Sequence, residues 1–334
     1  MASLIGSILR NASLKEGDKL NILTFPTHER YQSAMANCNA NFYLYRGPGI
    51  KDWNSTYAPL PANYTLLTPQ DEPALDVDID IVLSQNKFGQ FPMAHFFANK
   101  YHCPLVSLEH TLPYKDWAPQ QIQELNNMKG DANVFISEYS AQAWGYQLLE
   151  SVIIHHGVDT EVFKPSTTKR EPHLLSVVND WINRDWCCGY KIWEQVSRER
   201  KVVVFGDTPG LSRPAKDVAE LAGAYQSAQV FLNTSLISPV PTALLEAMSC
   251  GCAVVSTATC MIPEIIINGV NGFISNDPAE LQSYCDILLK NPKLAEKLGK
   301  AARKTIEQKF SMDKFVQQWN GLFDYVSQNV FYKE

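Results

Sequence analysis

The stretch AQVFLNTSLISPVPTALLEAMSCGCAVVST, residues 228–257, decides the fold. It opens on a continuous apolar run (228–235) and passes through a proline-bearing turn. A helical segment follows over 242–250, and a second β-branched run (252–257) closes it. Strands apolar on both faces and joined by a helix belong to a parallel sheet that is covered on both sides.

The same alternation extends outward in both directions. Upstream, HLLSVV (173–178) and KVVVFG (201–206) read as strands, and GFIS (272–275) does so downstream. Helices are predicted near 187–198, 214–222, 278–290 and 292–308. Before a polar joint at 158–172, containing Pro165 and Pro172, an earlier series predicts strands at LNILTF (20–25), NFYLYR (41–46), DIDIVLSQ (78–85), PLVSLEH (104–110), ANVFIS (132–137) and SVIIHHG (151–157). Helices fall roughly at 89–101, 119–128 and 138–149, and the Pro-, Asn- and Tyr-rich region 47–76 reads as a long loop. A last helix over 312–331 carries Phe315, Trp319, Leu322, Phe323 and Val326 on one side, which suits packing back onto the first domain. The expectation is an α/β protein of two doubly wound domains facing across a cleft, residues 1–163 with 313–334 and residues 164–312.

Composition narrows the class. Of 334 residues, 45% are hydrophobic and 19% charged, enough apolar material for two cores and too little charge for a disordered chain. A net charge of −6 disfavours a protein held mainly by phosphate backbones. The opening MASLIGSILRN has too short an apolar run for a secretory signal, and no stretch is long and apolar enough for a membrane span. Eight cysteines without zinc-ligand spacing suggest reduced thiols and a cytoplasmic protein, so the sequons at Asn54 and Asn63 carry no sugar.

Ligands of open α/β sheets bind beyond the carboxyl ends of strands. The turn after 228–235 is therefore informative. Pro241 is placed at the first helical position, so the N–H groups of Thr242, Ala243 and Leu244 face outward with the helix dipole behind them, an anion site. Glu246 lies one turn further, within reach of a hydroxyl on the anion's carrier.

SPVPTALLEAMSCGCAVVST, IPEIIINGVNGFIS and DPAELQSYCDILLKNPKLAEKLGKAARKTIEQKFS together resemble the C-terminal half of retaining glycosyltransferases of family 4, which have the GT-B fold. In that family two Glu separated by seven residues bracket the donor pocket. The resemblance makes Glu246 the ribose ligand and the 241–244 turn the diphosphate site. Ser238 stands where the family's first Glu contacts the transferred sugar. VVVFGDTPG (202–210) resembles the Gly-rich turn near the nucleotide, which implies roles for Gly206 and Asp207. IIHHGVDTEVFKP (153–165) resembles the inter-domain segment. The family's diphosphate-neutralising Arg corresponds to Arg184. Cys188 stands where its Lys should be, with Lys191 a substitute. The resemblance further implies His110 near the reacting centre, and an acceptor side formed by the first domain with His28, Glu29 and Arg30. Asn86, Lys87, Glu138 and Glu264 occupy similar turns.

The activity so implied is transfer of a sugar from a UDP- or GDP-linked donor to an acceptor hydroxyl, with retention, no metal ion and no permanently bound cofactor. The acceptor is a glycan, lipid or protein, with a modified DNA base ranked lower because of the net charge. Two alternatives are a catalytically impaired nucleotide-sugar-binding protein, which Ser238 and the missing Lys favour, and a nucleotide-sugar epimerase on the same fold. Residues 291–314 hold six Lys and one Arg against three acids. Lys293, Lys297, Lys300 and Lys304 share one helical face, read as a solvated surface or, more sharply, as one that meets an anionic membrane or nucleic acid.

Overall fold

The computed structural model describes Ser13, residues 17–67 and residues 77–329. The opening MASLIGSILRN, the end of the 47–76 region and the last positions of the C-terminal helix lie outside these. The chain divides into two compact units, one running to His155 and taking up the chain again from Phe315, the other spanning His156–Lys314.

The first unit is built on seven parallel strands: β1 (Leu20–Thr24), β2 (Ala40–Leu44), β3 (Tyr64–Leu66), β4 (Ile81–Ser84), β5 (Leu105–Glu109), β6 (Ala132–Phe135) and β7 (Val152–Ile153), in the order β3-β2-β1-β4-β5-β6-β7. Register aligns Ile22 with Phe42 on one side of β1 and with Ile81 on the other. Helices α1 (Glu29–Met35), α2 (Phe91–Tyr101), α3 (Pro119–Asn126) and α4 (Glu138–Ala143) connect them. Leu23, Val82 and Leu105 meet Phe91, Ala94, Phe97 and Ala98 of α2 in one buried cluster.

In this unit two elements depart from the sequence reading. Strand β3 occupies the region read as loop, and α1 was not foreseen. Both are too short to show a period: β3 has three residues, and the seven-residue α1 buries only Tyr31, Gln32 and Met35.

The second unit carries β8 (Glu171–Val177), β9 (Val202–Phe205), β10 (Ala228–Asn233), β11 (Ala253–Ser256) and β12 (Phe273–Ile274), all parallel, in the order β12-β11-β10-β8-β9. Its helices are α5 (Asp185–Cys188), α6 (Tyr190–Ser197), α7 (Val218–Ser227), α8 (Thr242–Ser249), α9 (Ile262–Ile265), α10 (Pro278–Lys290) and α11 (Pro292–Lys309). Alternate strand residues feed opposite cores. Leu175, Phe231 and Val254 join one cluster, while Leu174, Val230, Leu232, Ala253 and Val255 join the other. That two-sided burial is why the strands read as unbroken apolar runs.

The last helix, α12 (Met312–Asn329), buries Phe315, Trp319, Phe323 and Val326. The Trp319 indole N–H donates to the Tyr31 hydroxyl of α1 at 3.1 Å, and the Asn39 N–H donates to Asn320 Oδ1 at 2.9 Å. From Phe315 onward the helix therefore belongs to the first unit. None of the helices among the described residues is long and apolar enough to cross a membrane.

The face read as basic is solvated. Lys293, Lys297, Lys300 and Lys304 are exposed, and Lys300 pairs with Glu296 one turn away. Arg303 does something else. Its guanidinium donates to the carbonyls of Thr160, Phe163 and Ser249, fastening α11 to the preceding segment.

Candidate functional site

In the second sheet the strand order reverses between β8 and β10, so their carboxyl ends open a crevice of the kind that holds ligands in this class of sheet. Arg184 follows β8; Ser238 and the 241–244 turn follow β10; Gly206 and Asp207 follow β9 beside them. Topology thus brings these sequence candidates to one edge.

The turn after β10 is fixed from both sides. The Leu236 and Ile237 N–H groups both donate to the Cys187 carbonyl, at 2.8 and 3.0 Å. The Thr257 and Thr259 hydroxyls both donate to the Ser235 carbonyl, at 2.5 and 2.6 Å. Ser238–Val240 then run half-buried into α8. Pro241 is the N-cap of α8 rather than its first helical residue, with φ −78° and ψ 92°. This changes the donor set. The Leu244 N–H, expected to face outward, donates to the Pro241 carbonyl at 2.9 Å. The N–H groups of Thr242 and Ala243, the first two helical positions, find no acceptor within the helix and point away from it at the positive end of the dipole.

One turn on, Glu246 is half-buried and its Oε2 accepts the Tyr225 hydroxyl proton at 2.8 Å. Tyr225, at the end of α7, is fully buried against Phe163 and Phe231. Sequence reasoning missed it, because a buried Tyr late in an amphipathic helix looks like core.

Arg184 caps the four-residue α5 and is exposed; its guanidinium makes one long contact, 3.4 Å, to the Asn179 carbonyl. Lys191 is exposed 3.7 Å from Asp185, which also accepts the Lys191 N–H. Cys188 is buried against Cys187, and burial pushes its thiol up to about 12; a thiol cannot supply the charge of the Lys it replaces. Gly206 was read as making room for a nucleotide. Its φ is +124°, and a Cβ there would collide with the Val178 carbonyl, so packing between the β8 and β9 turns already demands the glycine. Those turns are joined further, since the Asp207 N–H donates to Asn179 Oδ1 and the Asp180 N–H to the Asp207 carbonyl. The Asp207 side chain is exposed. Glu264 lies half-buried in α9.

The first unit has its own reversal between β1 and β4. There the His28 and His110 rings pack edge-on at 4.5 Å, and Tyr31 packs on His110 at the same distance. His110 is buried, with Nε2 at 3.3 Å from Gln85 Oε1. Gln85 in turn donates to the Thr24 hydroxyl and the Phe25 carbonyl. His28 has an exposed edge, yet burial of the rest of its ring lowers its pKa against the opposing pull of Glu29, and Lys51 adds to the fall. Glu29 and Arg30 sit in the first turn of α1 rather than in the strand-end turn. The Glu29 carboxylate accepts the Asn54 N–H at 3.0 Å, and Arg30 is exposed.

Lys87, read as an acceptor-side polar group, is instead 1% exposed, its ammonium bonded to the Met128 carbonyl and the Tyr146 hydroxyl. Burial pushes its pKa down to about 8, with nearby Glu109 opposing. Glu109 is the residue that sequence reasoning overlooked. Its buried carboxylate accepts the Lys87 N–H at 2.9 Å, the Thr111 N–H at 2.9 Å and the Thr111 hydroxyl at 2.7 Å. It stitches the turn after β4 to the turn after β5. Burial raises its pKa, while those hydrogen bonds and Lys87 pull it back. Glu138 opens α4, where Ser137 is the cap.

Comparison with known proteins agrees with this architecture. Residues 194–305 match the family described as Glycosyl transferases group 1. Alpha-maltose-1-phosphate synthase of Mycobacterium tuberculosis is 23% identical over 287 residues, covering 67% of this chain and 73% of that protein. Among solved structures, HepE of Anabaena in complex with UDP superposes with a TM-score of 0.73 at 13% identity, over 91% of this chain and 99% of that one. A glycosyltransferase from Rickettsia africae gives 0.71 at 15% identity, over 93% and 100%. The chain has the GT-B fold and is a glycosyltransferase. Its resemblance to the glycosyl transferases group 1 covers residues 194–305, about a third of the chain.

Proposed function

We propose that the second unit binds a nucleoside-diphosphate sugar, UDP-linked by preference, and that the enzyme transfers the sugar to an acceptor hydroxyl with retention and without a metal ion. The start of α8 with Glu246 held by Tyr225 carries this reading. A diphosphate suits the Thr242 and Ala243 N–H groups, and a ribose suits a carboxylate already oriented by a buried phenol. HepE of Anabaena, a structural relative, is described in complexes with UDP and with UDP-glucose, which supports the preference for uridine.

In the reaction the bond from the anomeric carbon to the β-phosphate oxygen breaks, and a bond to the acceptor oxygen forms on the same face. The acceptor's proton passes to the departing phosphate, so no strong base is required. Arg184, exposed at the start of α5, and the α8 N–H groups offset charge growing on that phosphate. Ser238 hydrogen-bonds the sugar in place of a carboxylate. His110, with His28, Glu29 and Arg30, lines the acceptor side in the first unit.

Thermal unfolding against UDP, GDP, ADP and CMP tests the donor site, because a ligand that binds only the native state raises the melting temperature. A UDP-selective rise that Glu246→Ala abolishes is the expected result. No rise with any nucleotide would remove the donor site from this turn. Turnover of UDP-glucose that survives EDTA, giving product of unchanged anomeric configuration, tests the rest.

A further inference from the structure

The carboxyl edge of the first sheet carries three aromatic rings that the site above does not use. Phe88, in the turn after β4, is 72% exposed, and Tyr114, in the loop after β5, is 56% exposed. Both pack on Trp117, with ring centroids 6.0 Å and 4.9 Å away. Trp117 leans on buried Trp144 at 6.2 Å, whose indole N–H donates to the Thr111 carbonyl at 2.9 Å. Exposed aromatics of this size, gathered in one place, mark a binding surface.

This cluster is also rigidly placed. Phe88 follows Lys87, whose N–H is held by Glu109, and Glu109 holds Thr111, the residue after His110. The rings are therefore tied, through one buried carboxylate, to the segment that presents His110.

We infer that Phe88, Tyr114 and Trp117, whose rings meet at 41° and 73°, form an aromatic cluster that holds a pyranose ring of a saccharide acceptor, one ring stacking on its C–H face and the others bordering it. The inference rests on the reading of the first unit as the acceptor side. A sugar ring offers an apolar C–H face to aromatic rings and a rim of hydroxyls to polar neighbours. Lys115 and Asp116, both exposed, stand in the same loop as the rim partners. Their opposite charges leave the patch without the cationic excess that would draw an anionic bilayer.

The test uses the full chain and saturation-transfer NMR with maltotriose, chitotriose and mannotriose as probes. Sedimentation with vesicles of phosphatidylglycerol and phosphatidylcholine runs in parallel. At least one trisaccharide should receive saturation at its ring C–H protons. Phe88→Ala and Tyr114→Ala should each weaken that binding at least fivefold, and the double variant should abolish it. Both side chains are exposed, so the melting temperature and its rise with UDP should stay at parental values. Failure of all three sugars to bind a protein that still responds to UDP would overturn the inference and leave the donor reading intact. So would binding that both variants retain, or vesicle binding that depends on Phe88. Absence of any UDP response in the parent would instead strike the donor reading itself.

Discussion

The two sheets end in different materials. In the second, the turn after β10 is made of backbone groups, small hydroxyls and one carboxylate: the α8 N–H pair, Ser235, Thr257, Thr259 and Glu246. The carboxyl edge of the first is a knot of large polar and aromatic side chains: His28, His110, Gln85, Glu109, Lys87, with Phe88 and Trp117 beyond them. Main-chain donors suit a ligand part that never changes, such as a diphosphate. Interlocked side chains suit a partner that differs from one enzyme to the next. The contrast also explains the comparisons, since the recognisable motif lies within residues 194–305, in the second unit.

The sharpest way to break the contrast is Glu109→Ala. It removes the acceptor for the Lys87 and Thr111 N–H groups and takes a nearby negative charge away from the buried Lys87 ammonium. The expected cost is about 3 kcal/mol, read from urea unfolding. A loss below ~1 kcal/mol would mean that the first edge is not held by this carboxylate.

Glu246→Ala should weaken UDP by roughly 30- to 100-fold, or about 2–3 kcal/mol, by titration calorimetry, with a smaller stability loss of about 1 kcal/mol from the broken Tyr225 hydrogen bond. Tyr225→Phe keeps the ring and removes the hydroxyl, and a five- to tenfold weakening, ~1 kcal/mol, is expected. If Tyr225→Phe changes stability but not affinity, the phenol serves the core alone.

Gly206→Ala tests whether the β9 turn is structural. A Cβ would meet the Val178 carbonyl at a φ of +124°, so a loss of about 2 kcal/mol is expected even without nucleotide. An unchanged melting temperature with lost UDP binding would restore the nucleotide explanation.

The most gradual effect is pH-dependent. Lys87 has a folded pKa of about 8, below its unfolded value near 10.5. Between those limits the unfolded chain binds more protons, so this residue makes stability rise with pH, by about 1 kcal/mol per unit above pH 8. Lys87→Met should flatten the rise between pH 8 and pH 10. A parental curve that is already flat there would show that the ammonium is solvated.

The α/β alternation was legible because two-sided burial leaves a plain signature: Leu174 and Leu175 face opposite cores, so neither position tolerates a polar residue. The α8 turn was legible as an anion site from Pro241 and the helix that follows, although the proline caps the helix instead of opening it and so reclaims the Leu244 N–H. Tyr225 and Glu109 were not legible. Each acts through a hydrogen bond to a residue distant in sequence, 21 positions for Tyr225 to Glu246 and 22 for Lys87 to Glu109. Nothing local distinguishes such a Tyr from core or such a Glu from surface. Lys87 misled for a related reason, since a lysine in a polar turn is ordinarily solvated and only the fold places Tyr146 and Met128 over it.

Helix α12 has a consequence for biosynthesis. The second unit is one continuous segment, and its ends are joined when the Val158 N–H bonds the Phe310 carbonyl and the Met312 N–H bonds the Val158 carbonyl. The first unit needs Phe315 and Trp319 to cover Tyr31, and a ribosome adds these only after the whole of the second unit. Of the two units, the one begun earlier is therefore the one completed later. A nascent chain halted at Lys314 should protect the second unit from protease while leaving the first open to cleavage.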